Sequence, residues 1–303
     1  MDFGKVTSVR QLDTISFRLP TEDGRMPIFP SVSAPEFYLG CPVWGKKEWV
    51  GQVYPPGTAP KDYLKFYARQ FNTIELNTTF YRTPDPTTVE RWRKTVPPDF
   101  KFCPKVFQDI SRFENLLQIP ALTQRFCESI LHFGDHLGTL FMQLPPSFGP
   151  NKIVILKRFF TLLPPGIRLA VEFRHPAWFF QGQLIHPAFD LLAEKRISTV
   201  ITDVAGRRDV VHSTLTTRTA VIRFVGNALH PSDTVRIDQW VERLGSWFKK
   251  GVNQVYFFLH QPEEAGALEL ITYLNEALNQ RYPIHLRNWD PKLARPAQKE
   301  LFG

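Results

Sequence analysis

The chain has only three cysteines, Cys41, Cys103 and Cys127, and no CxxC pair. An odd and dispersed set excludes a disulfide framework and a zinc ribbon. No apolar run approaches the ~20 residues that span a bilayer. From Met1 to Pro30 the apolar residues are interrupted by Asp2, Lys5, Arg10, Asp13 and Glu22, so no signal-peptide core is expected. Gly and Pro are scattered, which excludes collagen-like and low-complexity classes. No strand-like run leads into GxGxxG, and HxH and HExxH are absent, so no cofactor or metal is indicated. The chain is expected to be soluble and cytoplasmic.

Aromatic residues are abundant: 14% of 303 residues, with 26 Phe, and 43% of the chain is hydrophobic, enough for a full core. The formal net charge of +8 favours anions at long range. The densest basic groups, Lys46-Lys47, Arg207-Arg208 and Lys249-Lys250, are only pairs. Nucleic acid is therefore kept as an alternative partner to a small anionic ligand.

Eight β-like runs stand out: Glu36–Gly40, Thr73–Asn77, Lys101–Lys105, Thr139–Gln143, Arg168–Arg174, Ser198–Asp203, Ala220–Val225 and Gln254–His260. Between most of them lie stripes of helical period, clearest at Ile237, Trp240, Val241, Leu244 and Phe248. Val204–Thr217 has no stripe and reads as loop. The runs recur about every 31 residues, and Glu36 to Tyr282 is close to the ~250 residues of a (β/α)8 barrel. The expected fold is α/β: one TIM-like barrel over 36–282, an N-terminal extension over 1–35 and a short tail over 283–303. An open doubly wound sheet is the competing architecture.

If the polar residue at each strand exit faces inward, alternation gives the inner sets Thr73/Glu75/Asn77, Lys101/Cys103/Lys105, Phe141/Gln143 and Ala170/Glu172/Arg174. The later strands give Thr199/Ile201/Asp203, Val221/Arg223/Val225 and Tyr256/Phe258/His260. Barrel chemistry sits at the carboxyl ends of strands. Glu172, Glu75 and Asp203 are candidate acid–base groups, since carboxylates sharing a cleft divide such roles. His175 is a candidate proton shuttle. Arg174, Arg223 and Lys105 form a candidate anion clamp. Gln143, Asn77 and His260 are candidate polar contacts, and Trp44, Tyr81 and Trp178 candidate stacking surfaces. Gly226 and Asn227 sit where barrels often hold phosphate. The same charges could instead pair among themselves and serve the fold. Lying at a strand exit, Glu172 and Arg174 are expected to tolerate replacement with little loss of stability.

At these residues the chain resembles the YecE-like proteins, the family called domain of unknown function 72. The matching motifs are Gly40-Cys-Pro-Val-Trp44 with Trp49-Val-Gly51, and Tyr67-Ala-Arg-Gln-Phe-Asn-Thr-Ile-Glu-Leu-Asn-Thr-Thr-Phe-Tyr81. Asp99-Phe-Lys-Phe102 with Lys105, Gln143-Leu-Pro-Pro146 and Glu172-Phe-Arg-His-Pro176 follow in order. The resemblance runs from Phe37 to about Ala277 and implies a TIM-like barrel without implying a reaction. Many relatives carry a His where this chain has Val225, and paired Asn where it has Leu259-His260.

Overall fold

Each β-like run becomes a strand, and the computed structural model describes residues 4–6, 8–30, 35–261, 266–282 and 284. The strands are β1 (Glu36–Gly40), β2 (Thr73–Leu76), β3 (Lys101–Pro104), β4 (Leu140–Gln143), β5 (Leu169–Glu172), β6 (Ser198–Asp203), β7 (Thr219–Val225) and β8 (Gln254–His260). Where they pair, they pair in parallel. A small antiparallel hairpin, Phe179–Phe180 with Gln183–Leu184, follows β5. The expected tail from Pro283 lies outside the described residues, apart from Ile284.

Parallel neighbours need long crossovers, and helices supply them. They are α1 (Tyr63–Gln70), α2 (Pro86–Thr95), α3 (Ile119–Leu131), α4 (Ile153–Phe160), α5 (His186–Glu194), α6 (Ser232–Lys249) and α7 (Gly266–Arg281). The Asp85 carboxylate caps α2 by accepting from Thr88 N–H at 3.0 Å, with Pro86 in the first turn. In α6 the stripe Ile237, Trp240, Val241 and Leu244 is buried, as its spacing predicts.

Between β6 and β7 the chain makes only 3-10 turns over Ala205–Val210. The N-terminal segment covers that flank. Gly206 N–H donates to Gly4 O at 2.9 Å, Ser213 Oγ to Pro20 O at 3.0 Å, and Thr214 Oγ1 to Asp23 Oδ2 at 2.8 Å. Phe17 lies beneath the guanidinium groups of Arg208 and Arg236.

The ladder is one six-stranded sheet in the order β1-β8-β7-β6-β5-β4 and a separate pair, β2-β3. Where the sequence predicts one closed barrel, the hydrogen-bonded ladder is open at two seams. Between β3 and β4 there are isolated bridges, Phe102 with Leu137 and Lys105 with Phe141. Between β1 and β2, one backbone bond joins Glu75 N–H to Cys41 O at 3.2 Å. Side chains carry the rest of that seam. The Tyr67 hydroxyl accepts from Cys41 N–H at 2.8 Å and donates to Thr73 O at 2.9 Å. Asn72 accepts from Leu39 N–H and donates to Phe37 O, both at 2.8 Å. Gly40 permits the approach, because a Cβ there would stand 2.2 Å from Thr73 O.

Apolar side chains form two layers. One lies between strands and helices and takes Ile74, Phe102, Met142, Val171, Ile222 and Phe257 from the strands. The other lies on the opposite strand faces: Tyr38, Cys103, Phe141, Ala170, Val200, Val221, Tyr256 and Phe258. Among the described residues no helix is long and apolar enough to cross a membrane.

Candidate functional site

Parallel strands deliver their carboxyl ends to one side, and above the second apolar layer those ends bring charge together. Glu75 comes from β2, Glu172 from the last position of β5, Arg223 from β7 and His260 from the end of β8. Asn77, Lys105 and Arg174 stand just past β2, β3 and β5, and Gln143 ends β4.

Arg223 is the hub. Its Nε and Nη2 donate to Glu75 Oε2 and Oε1 at 2.9 and 3.0 Å, and its Nη1 donates to Glu172 Oε2 at 3.2 Å. Arg174 Nε donates to the other oxygen of Glu172 at 2.7 Å. Asn77 Nδ2 and His260 Nε2 each reach Glu75 at 2.9 Å. The Arg223 guanidinium also lies over the Phe141 ring, 4.7 Å from its centre. The two carboxylates thus have their oxygens occupied by cationic and amide donors.

Burial alone would raise both carboxyls. For Glu75, the Arg223 charge and His260 overcome that and hold it well below the usual carboxylate range. For Glu172, Arg174 and then Arg223 do the same. Burial pushes His260 below the usual histidine value against the pull of Glu75. The site therefore holds two carboxylate anions and a neutral imidazole near pH 7.

Lys105 is different. Its side chain is 3% exposed, and Nζ donates to Gln143 Oε1 at 2.8 Å. The ammonium lies 4.2 Å from the centre of the Phe80 ring and forms no ion pair among the described residues. Burial and the neighbouring Arg223 push it down to about 8. Three cations stand against two carboxylates, and the surplus charge rests on Lys105.

Not every expected residue joins. Asp203 belongs to the opposite face of β6. The register pairs Thr202 with Arg223 and Asp203 with Phe224, so Thr202 takes the inward position. Asp203 is bound instead by Arg208, Arg236 and, at 2.8 Å, Trp240 Nε1. Thr202 is the residue that sequence reading missed, and its buried Oγ1 has no hydrogen-bond partner. Val200, two residues earlier and part of the second apolar layer, was the available signal.

Trp178 is fully buried, with Nε1 donating to Phe148 O at 2.6 Å and its ring against Phe173. It is a core residue and offers no stacking face. His175 Nδ1 accepts from Ala177 N–H at 3.1 Å and caps a 3-10 turn. Trp44 turns to Trp92 of α2, and Tyr81 is 70% exposed. Asn227 N–H donates to both oxygens of Asp233 at 3.0 and 2.9 Å, so a carboxylate of the chain fills the position suggested for phosphate. The basic pair Arg207-Arg208 is likewise engaged, with Asp209 and Asp203.

Residues 38–295 match the family described as Protein of unknown function DUF72. The UPF0759 protein YecE of Escherichia coli is 31% identical over 264 residues, 81% of this chain and 94% of its own. The UPF0759 protein YunF of Bacillus subtilis is 29% identical over 150 residues, 47% of this chain and 52% of its own. The crystal structure of a DUF72 family protein from Enterococcus faecalis superposes with a TM-score of 0.64. It is 19% identical and covers 81% of this chain and 96% of that one, a likeness of fold.

Proposed function

We propose that this chain, which belongs to the DUF72 family, is an enzyme acting by acid–base chemistry on a small anionic or polyhydroxylated substrate. The substrate binds where the carboxyl ends of the strands converge, and the eight strands act as one (β/α)8 barrel. What supports the barrel is the sequence-ordered succession of neighbouring strands and the apolar layer shared by β1 and β3 through β8.

One observation carries the chemical reading: Lys105 is a buried ammonium whose partners are an amide oxygen and aromatic rings, while every other charge of the cluster has its counterion. A buried lysine with a lowered pKa both attracts an anion and exchanges a proton near neutrality. Glu172 and Glu75, expected from sequence to supply the proton chemistry, instead fix the two arginines. Arg174 and Arg223 are held by those carboxylates beside the lysine, which takes the substrate's anionic group, and Gln143 orients the lysine.

The test is a turnover screen against phosphate esters, sugars and sugar acids, repeated for any hit with Lys105→Met. Loss of about 100-fold or more in kcat, the usual share of a general acid–base group, is expected. A hit whose turnover survives Lys105→Met defeats the assignment. A non-catalytic ligand-binding protein is the reading that remains if Lys105→Met abolishes binding of a ligand no variant turns over.

A further inference from the structure

The opposite end of the strands holds a second concentration of positive charge. A cleft of about 490 Å³ opens there, within the size range of small-molecule sites. It is lined at the amino ends of β4 to β7 by Thr139, Arg168, Ser198 and Thr219, with Arg196 and Arg218 from the adjoining turns. Three guanidinium groups and several hydroxyls line it, and no lining residue is acidic.

The arginines are held without being neutralised. Arg168 Nη1 donates to the neutral Gln254 Oε1 at 3.2 Å. Arg218 donates to the backbone oxygens of Gly251 and Pro30 at 3.1 and 2.9 Å and lies over the Phe29 ring. Arg196 makes no side-chain hydrogen bond or ion pair among the described residues. These contacts aim the groups and leave their charge for a ligand. Charge of one sign in a low-dielectric cleft concentrates anions.

Two further observations point to a ligand. Thr139 Oγ1 is buried on the lining, beside the Tyr256 hydroxyl, and neither oxygen completes a well-formed hydrogen bond. Arg196 occupies the left-handed turn after α5 with φ +54°, a conformation that favours glycine. An arginine there is conformationally costly and puts a guanidinium at the rim.

We propose that this cleft binds a phosphorylated small molecule of sugar-phosphate or nucleotide size, at a site separate from the one around Lys105. The arginine forks take the phosphate oxygens and the hydroxyls take the remainder.

Calorimetric titration with inorganic pyrophosphate, glucose 6-phosphate and adenosine 5′-monophosphate tests this. Arg196→Gly is the decisive variant, because it removes the charge while relieving the turn. It is expected to weaken binding about tenfold, the share of one charge-assisted contact, with a melting temperature equal to or above the parent's. Arg168→Gln combined with Arg196→Gly is expected to abolish binding, and Lys105→Met to leave it unchanged. The proposal is overturned if the parent binds none of the three probes. Affinity that persists in Arg196→Gly, or vanishes in Lys105→Met, overturns it equally, the latter by assigning the anion to the other site.

Discussion

Arg223 grips Glu75 through two parallel hydrogen bonds, of 2.9 and 3.0 Å, across from β7 to β2. These strands belong to the two separate ladders, so the ion pair also ties the β2–β3 pair to the six-stranded sheet. Removing one partner leaves the other buried and uncompensated. Arg223→Met and Glu75→Gln are each expected to cost about 3–5 kcal/mol, with the double variant recovering part of the sum. Glu172→Gln belongs with them. Its position at a strand exit suggests tolerance, but Glu172 is 1% exposed and lies between Arg174 and Arg223. Urea unfolding of the single and double variants measures all of these.

Lys105 is expected to behave in the opposite way. Lys105→Met leaves one amide oxygen without its donor, at a cost of about 1–2 kcal/mol, while anion binding at the mouth is lost. Competitive acetylation across pH, read by mass spectrometry, should give Lys105 a midpoint near 8. A midpoint above 10 would contradict the environment described.

Stability should fall on acidification in two stages. His212 is buried against Phe179, with Nε2 facing Val200 O at 3.2 Å and Nδ1 accepting from Thr214 N–H at 3.2 Å. The amide donor fixes a neutral ring, and burial pushes its pKa down from 6.5 to about 4. The unfolded chain binds the proton first, so this contribution is complete above pH 6.5 and shrinks as pH falls towards 4. The loss is about 3 kcal/mol. Glu75 and Glu172, also depressed, keep their contribution above their usual 4.5 and lose it as pH falls below that. Unfolding midpoints from pH 3 to 8, with and without His212→Asn, should show the upper stage flattened in the variant.

Asp203 separates architecture from chemistry. Asp203→Asn weakens the attachment of α6 through Arg236 and Trp240 and is expected to cost about 3 kcal/mol. Ligand affinity of the folded fraction at the mouth should be unchanged. A selective loss of affinity at unchanged stability would return Asp203 to the site.

The same residue marks the limit of what the sequence discloses. Most strands contrast polar and apolar positions, and their facing is legible, as with Ala170 and Glu172 in β5. In β6, Ser198-Thr-Val-Ile-Thr-Asp203 has β-branched residues at four successive positions and a threonine of each parity, so alternation carries little information. The terminal charge then suggests the wrong face, because its counterions are Arg208 in the turns after β6 and Arg236 of α6, thirty-odd residues further on. Trp178 fails for a similar reason: position after a strand does not reveal that Phe148 and Phe173 enclose it. The members of the ionic cluster could be named from sequence. Their division into locked pairs and one unneutralised lysine depends on distances between strands.

The phenol of Tyr67 has a consequence beyond its own two hydrogen bonds. A sheet edge without a partner is a template for another chain, and proteins guard such edges against self-association. Here β1 and β2 are shielded from that fate chiefly by one side-chain oxygen and one asparagine. Losing a single atom, as Tyr67→Phe does, removes both the bond to Cys41 N–H, just past β1, and the bond to Thr73 O of β2. The closure of this seam is thus concentrated at a helix residue that belongs to neither strand.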